Sequence, residues 1–294
     1  MDSARAVPHG FSPIKMGRAE LVIRDTYRDR LMEREIHNPE PLYRQYEGKA
    51  PFMEGRAPLL CLPIDEKGSE RMVVRHYEHG GIFRALTRDL FLGGSRPFRE
   101  LVITEMARKA GVPTMEVLAA IKRRILWPFY KGDLISKEIP NSVDLIGYFT
   151  RYGKSQGRGQ PGEKRELTRQ AGRLVRKMHE AGIYHFDLHL KNFVVELRKG
   201  APRCLHIIDL DRSTIIYPLK SDKWFANLLR LDRSAEKWRA KGLPITQTDR
   251  LRFLRSYLEG DEEGESFVKR YLKGLSRRRR RYRLGWAIER LFYG

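Results

Sequence analysis

The chain has 294 residues, of which 58 are Lys or Arg and 37 Asp or Glu, giving a formal net charge of +21. At 41% hydrophobic and 10% aromatic residues it has the material for a real core, which excludes a disordered chain, and its basic excess predicts an anionic partner: nucleic acid, an acidic membrane surface or a phosphorylated substrate. Two cysteines, Cys61 and Cys204, exclude a disulfide framework and suggest a reducing compartment.

Residues 1–45 are polar, with Pro39 and Pro41 interrupting any periodicity; they predict an irregular lead-in segment without the apolar core of a secretory signal. No apolar run reaches the roughly 18 residues of a bilayer span. From Pro58 the pattern turns β-like. Leu59-Leu60-Cys61-Leu62 and Met72-Val73-Val74-Arg75-His76-Tyr77 flank the turn-like Asp65-Glu66-Lys67-Gly68, which predicts an antiparallel hairpin. A helix is predicted over about 97–110, with Ser95 as N-cap, Pro97 in the first turn and Gly111 and Pro113 at the exit. Phe98, Leu101, Val102 and Met106 have helical spacing within it.

Residues 153–161 form a Gly-rich polar loop, and 163–181 carry the strongest helical pattern, with Leu167, Ala171, Leu174 and Met178 on one face and Gly182 as the stop. Further helices are predicted around Trp224, Leu228 and Leu229, and around Leu251, Phe253, Leu254 and Tyr257. The chain ends on a basic run, 277–281, succeeded by Leu284, Trp286, Ile288 and Leu291. Basic residues beside aromatic and aliphatic ones suit an anionic membrane interface; no finger, recognition-helix or RNA-binding motif supports nucleic acid.

The chemistry concentrates in Tyr184-His185-Phe186-Asp187-Leu188-His189-Leu190-Lys191-Asn192 and in the residues from 193 to 211. Two β-branched-rich runs, around Val194 and Ile207, flank Arg198-Lys199-Gly200-Ala201-Pro202 and predict a second hairpin. With Phe193 opposite Ile208, Asn192 and Asp209 come side by side, and Asp187 lies on the loop just upstream. Two carboxylates and an amide oxygen make an oxygen-rich site for a hard cation such as Mg²⁺, with one carboxylate left to accept a proton from an attacking hydroxyl. Those are the parts phosphoryl transfer needs. Taken singly, Asp187 and Asn192 could form an Asx turn and Asp209 could cap a strand end. The joint spacing, His185-x-Asp187-x₄-Asn192 and then, after a hairpin, Asp209, matches the protein-kinase catalytic loop and weighs toward the kinase reading.

The same residues, with Ile208-Asp209-Leu210-Asp211-Arg212, resemble the lipopolysaccharide core kinases, the Kdo/heptose kinase family. The stretch Arg75-His76-Tyr77-Glu78-His79-Gly80-Gly81, the Phe98-Arg99-Glu100 helix start and the Gly111-Val112-Pro113 exit resemble the Kdo kinase branch. The likeness covers about residues 55–213. It implies an α+β, bilobal protein-kinase-like fold: after the lead-in, an N-lobe over 46–135 with a small antiparallel sheet and one helix, and a mostly helical C-lobe over 136–294. A linker through Leu134-Ile135-Ser136-Lys137-Glu138 would line the adenine pocket with its backbone.

By that resemblance Asp187 is the catalytic base, Asn192 and Asp209 hold Mg²⁺, and Glu100 anchors Arg75, which stands where protein kinases carry Lys on the strand that reaches the ATP phosphates. The phosphate loop is weak, since Glu54-Gly55-Arg56-Ala57-Pro58 has one glycine. Asp211 is a second metal ligand or a partner for Arg212. His185 orients the loop, whereas His189 contacts phosphate or is satisfied by backbone. His76, His79, His179 and His206 lack metal-ligand spacing, so zinc is not expected. The implied activity is ATP-dependent phosphorylation of a sugar hydroxyl of the lipopolysaccharide inner core, first of all Kdo on a Kdo-lipid A precursor, at the cytoplasmic face of the bacterial inner membrane. A heptose kinase, a protein or small-molecule kinase of the same fold and a non-catalytic pseudokinase are the alternatives.

Overall fold

The computed structural model describes residues 7–45, 59–65, 68, 70–79, 89–155, 161–198 and 200–259. The single-glycine stretch 54–58, Gly80-Gly81 and the basic tail after 259 lie outside them. Two compact units divide the chain, one formed by 1–140 together with 209–212, the other by 141–208 and 213–294.

In the first unit, strands β1 (Phe11–Met16), β2 (Ala19–Arg24), β3 (Leu60–Pro63), β4 (Arg71–His76), β6 (Val117–Leu126) and β7 (Phe129–Lys137) form an antiparallel sheet in the order β1-β2-β6-β7-β4-β3, and β5 (Phe91–Leu92) pairs with β7. Alternation along the strands gives the sheet two apolar faces. Leu21, Ile23, Met72, Val74 and Ile135 pack with Leu31 and Ile36 from the segment carrying α1 (Arg28–Glu33). Val22, Ala120, Tyr130 and Leu134 pack with Leu101 of α3 (Arg96–Lys109). The short helix α2 (Glu40–Gln45) comes after α1, with Pro41 in its first turn, where the missing N–H costs nothing. The hairpin of β3 and β4 forms with Leu60 opposite Val74, and Ser95 caps α3 by accepting from Phe98 N–H at 3.4 Å.

Three expectations change here. The lead-in is not irregular: its residues 11–24 make a full hairpin, because Pro13 sits on an edge strand that tolerates a missing donor while Leu21 and Ile23 alternate into the core. The expected boundary after residue 135 moves to 140, since Ser136 and Lys137 continue β7; Ser136 opposes Val73 of β4 and Val117 of β6. For the same reason residues 134–137 are ladder, not linker.

The second unit contains the sheet β11-β10-β8, made of β8 (Ser142–Asp144), β10 (Phe193–Glu196) and β11 (Cys204–Ile207), and a two-stranded pair of β9 (Ile183–His185) with β12 (Ser213–Ile215). Its helices are α4 (Leu145–Ser155), α5 (Pro161–Glu180), α6 (Ser221–Ala240) and α7 (Gln247–Tyr257). Leu167, Ala171, Leu174 and Met178 bury the apolar face of α5 as the spacing predicts, and Val175 is buried with them. Helices α5 and α7 approach closely at Gly172, where a Cβ would lie 2.5 Å from Phe253 O and 2.9 Å from Tyr257 N. Both atoms are backbone, so neither can swing aside. Gly172→Ala should therefore lower the unfolding free energy by roughly 2 kcal/mol despite its better helix propensity, read as a lower midpoint in urea denaturation.

Candidate active site

The loop between β9 and β10 is built from inside. His185 is fully buried, and its Nδ1 accepts the Asp187 backbone N–H at 3.2 Å. Asn192, on a 3₁₀ turn (Leu190–Asn192), is 4% exposed; its Nδ2 donates to Asp187 O at 3.0 Å and lies 3.2 Å from His185 Nε2. The amide nitrogen is thus committed to the loop, which leaves Oδ1 as the atom Asn192 can offer a ligand. The Asp187 carboxylate is 43% exposed, with His189 Nε2 3.8 Å from its Oδ2. So His189 faces the carboxylate, while His185 does the orienting.

Helix α6 supports this loop through residues the sequence did not single out. Asn227, wholly buried, donates to His185 O at 2.8 Å and accepts from His185 N–H at 3.2 Å, and Ser234 Oγ accepts the Leu190 N–H at 3.1 Å. Behind Asn227 stands His179, whose Nε2 meets Asn227 Oδ1 at 3.1 Å and whose Nδ1 meets the Tyr257 hydroxyl at 2.8 Å. Burial pushes the His179 pKa down to about 3. The ring is neutral, and the network assigns its proton to Nε2, since Asn227 Oδ1 can only accept.

The catalytic hairpin forms one residue out of the expected register. Phe193 opposes Ile207, not Ile208, and Ile208 N–H donates to Asn192 O at 2.8 Å. Asn192 therefore stands level with Ile208, and Asp209 is the next residue along. Its φ of 63° is a left-handed conformation that the short Asp side chain tolerates.

Within the first unit Asp209 accepts from Arg75 Nη1 at 2.8 Å while keeping half its side chain exposed. Arg75 Nη2 also donates to Tyr77 OH at 3.0 Å and to Glu100 Oε2, and the Tyr77 hydroxyl donates to that same oxygen. Glu100 is wholly buried on α3. Burial raises its pKa to about 7 against the pull of Arg75. Burial also opposes the charge on Arg75, yet Glu100, Tyr77 and the two aspartates hold its pKa well above the ordinary value. Arg75, Glu100 and Asp209 are thus brought together, and Tyr77 is the member that spacing did not reveal. Asp211 meets a partner that the spacing did not reveal: Arg96, at the start of α3, holds it through both oxygens, with Nε to Oδ1 at 3.1 Å. A guanidinium fork fits a carboxylate in this way, and the pairing spans 115 residues of chain.

Asn192 Oδ1 and the half-exposed Asp209 carboxylate are oxygen donors of the kind a hard divalent cation takes. A softer group also forms where histidine spacing predicted none. Glu196, Cys204 and His206 lie on one face of the β10–β11 hairpin with donor atoms within 4.8 Å of one another, and His206 Nε2 sits 3.0 Å from Glu196 Oε2.

The model of the lipopolysaccharide kinase (Kdo/WaaP) family matches residues 62–257, so the chain belongs to that family. Among curated relatives, the 3-deoxy-D-manno-octulosonic acid kinase of Vibrio vulnificus (strain CMCP6) is 33% identical over 173 residues, 57% of this chain and 66% of that protein. The enzyme of the same name from Haemophilus influenzae (strain 86-028NP) is 30% identical over 190 residues, 63% of this chain and 73% of its own length. The match thus spans just under two thirds of the Vibrio relative. A solved structure described as WaaP in complex with acyl carrier protein superposes with a TM-score of 0.51 at 22% identity, covering 80% of this chain and 96% of that one. It shows a kinase fold.

Burial at this site generates two tests. Arg75→Ala leaves the Glu100 carboxyl buried without its cation and should destabilise the fold by about 3 kcal/mol at pH 8, with Glu100→Gln in the same chain recovering much of the loss; denaturant titration of both variants checks it. His179 is neutral when folded and takes a proton below pH 6.5 when unfolded, so its contribution is complete above that pH and lost as pH falls toward 3. Between pH 6.5 and 5 the loss should be about 2 kcal/mol, and the acid slope of unfolding should flatten in His179→Phe.

Proposed function

We propose that the chain is an ATP-dependent kinase of the lipopolysaccharide inner core, whose acceptor is a Kdo hydroxyl on a Kdo-lipid A type precursor. The observation that carries the reading is the β9–β10 loop, where His185 and Asn192 hold the Asp187 backbone so that its carboxylate stays open to a substrate. The family assignment and the Kdo kinase relatives at 30–33% identity support the acceptor class. The +21 charge supports an anionic, phosphorylated substrate at a membrane surface. Among the described residues no helix is long and apolar enough to cross a membrane, and we place the enzyme peripherally on the cytoplasmic face of the inner membrane.

In this reading the Asp187 carboxylate accepts the proton of the acceptor hydroxyl as its oxygen bonds to the γ-phosphorus of ATP and the bond to the departing ADP breaks. By the resemblance to the kinase motif, Asn192 Oδ1 and Asp209 would hold Mg²⁺, which would supply positive charge to offset that of the phosphates. Arg75, fixed on its strand by Glu100 and Tyr77, offers a planar, permanently charged fork to the phosphates where protein kinases use the point charge of Lys. His189, facing Asp187, stands beside the carboxylate that takes the proton.

Mass spectrometry of a Kdo-lipid A precursor incubated with the protein, ATP and Mg²⁺ should show the gain of one phosphate. Asp187→Ala should slow that gain roughly 10³-fold while ATP binding persists. Phosphate gained only on heptosylated core would replace Kdo by heptose as the acceptor, and phosphate gained on soluble acceptors alone would overturn the lipid assignment.

A further inference from the structure

One end of the first unit's sheet finishes in apolar tips. On the turn from β6 to β7, Trp127 is 90% exposed and Leu126 73%. Leu92 of β5, 70% exposed, stands opposite Phe129 at the start of β7. The β1–β2 turn comes to the same end, since Ala19 opposes Arg123 and the Arg124 N–H donates to Arg18 O at 2.9 Å. Elsewhere in this unit Tyr27, Tyr77, Phe91 and Tyr130 are buried. A tryptophan giving nine tenths of its surface to water adds nothing to the core, and the apolar residues beside it are adjacent in space rather than scattered.

The surroundings of the tip are cationic. Lys15 and Arg18 flank it on the β1–β2 hairpin, and Lys122 and Arg124 on β6. The nearby Glu20 is already paired with Arg124. The turn also satisfies its own backbone: Ile125 O accepts from Arg18 Nη1 at 3.3 Å, and Pro128 O accepts the Gly93 N–H at 3.1 Å. Carbonyls already bonded lose less on leaving water for a low-dielectric layer. Trp at the tip, aliphatics around it and long basic side chains behind match the depth profile of a lipid interface, where indole rings sit at headgroup level and Lys and Arg reach back to the phosphates.

We propose that the β6–β7 tip, with Leu92, is a docking surface for an anionic bilayer. The charge complementarity of its basic collar favours that occupant over a second copy of the same +21 chain. The inference extends the lipid-substrate reading, yet it concerns bulk phospholipid. Vesicles free of any lipopolysaccharide precursor therefore test it independently of the acceptor.

The full chain is sedimented with vesicles of phosphatidylcholine alone and of phosphatidylcholine with phosphatidylglycerol, some carrying brominated acyl chains. Binding to the anionic vesicles, weakened by salt and accompanied by bromine quenching of tryptophan emission, is expected. Leu126→Ser/Trp127→Ser, with an unchanged thermal midpoint, should lower partitioning about tenfold. Trp127→Phe should keep partitioning within about twofold, because a phenyl ring still inserts, but lose most of the quenching. Wild-type partitioning in the double variant, or full quenching in Trp127→Phe, would overturn the assignment. So would absence of vesicle binding together with a solution dimer that the double variant dissociates, which would make the tip a contact between copies.

Discussion

A carboxylate sealed on α3 and a guanidinium on the neighbouring strand set the terms for the first unit. Glu100 has no exposure at all, and burying a carboxyl there is tolerable only because Arg75 and the Tyr77 hydroxyl both deliver donors to one of its oxygens. Arg75 in turn reaches Asp209. A single side chain thus ties strand, helix and the segment after the catalytic hairpin to one charge balance. Lys at this position would bring one compact ammonium with three donors; Arg brings a rigid fork that serves Glu100, Tyr77 and Asp209 at once.

The second unit solves the same kind of problem without charge. His179, Asn227 and His185 form a buried polar chain in which the described donors and acceptors meet from α5 to α6 to the loop. Neutrality of His179, enforced by burial, keeps that chain compatible with an apolar lobe. The rigid support lets Asp187 expose its carboxylate while its backbone stays fixed, the combination a proton acceptor requires.

What could be read from the sequence was local. The β3–β4 hairpin, helix α3 with its Ser95 cap, the Leu167-Ala171-Leu174-Met178 face and the spacing of His185, Asp187 and Asn192 all express short-range periodicity or turn chemistry. The strands over 11–24 were hidden because Pro13 and the charges between apolar positions mask a period of two, and only pairing with β6 makes them a sheet. Register at the catalytic hairpin differs by one residue from what the pattern implies, since turn length rather than pattern decides it. The pairings of Tyr77 with Glu100, Asn227 with His185 and Arg96 with Asp211 have no local signal, because the partners lie tens to more than a hundred residues apart.

The placement of residues 209–212 with the first unit means that this unit is not one continuous length of chain. On a ribosome, residues 7–140 emerge with Arg75 and Arg96 in place while the aspartates that answer them are still to be made. Until that four-residue strap brings the carboxylates of Asp209 and Asp211, Arg75 has only Glu100 and Arg96 has no aspartate to hold, so the unit's final charge balance is reached only late in synthesis. A fragment cut at residue 140 would lack those carboxylates permanently, and this unit cannot be severed from its partner by a single break in the chain.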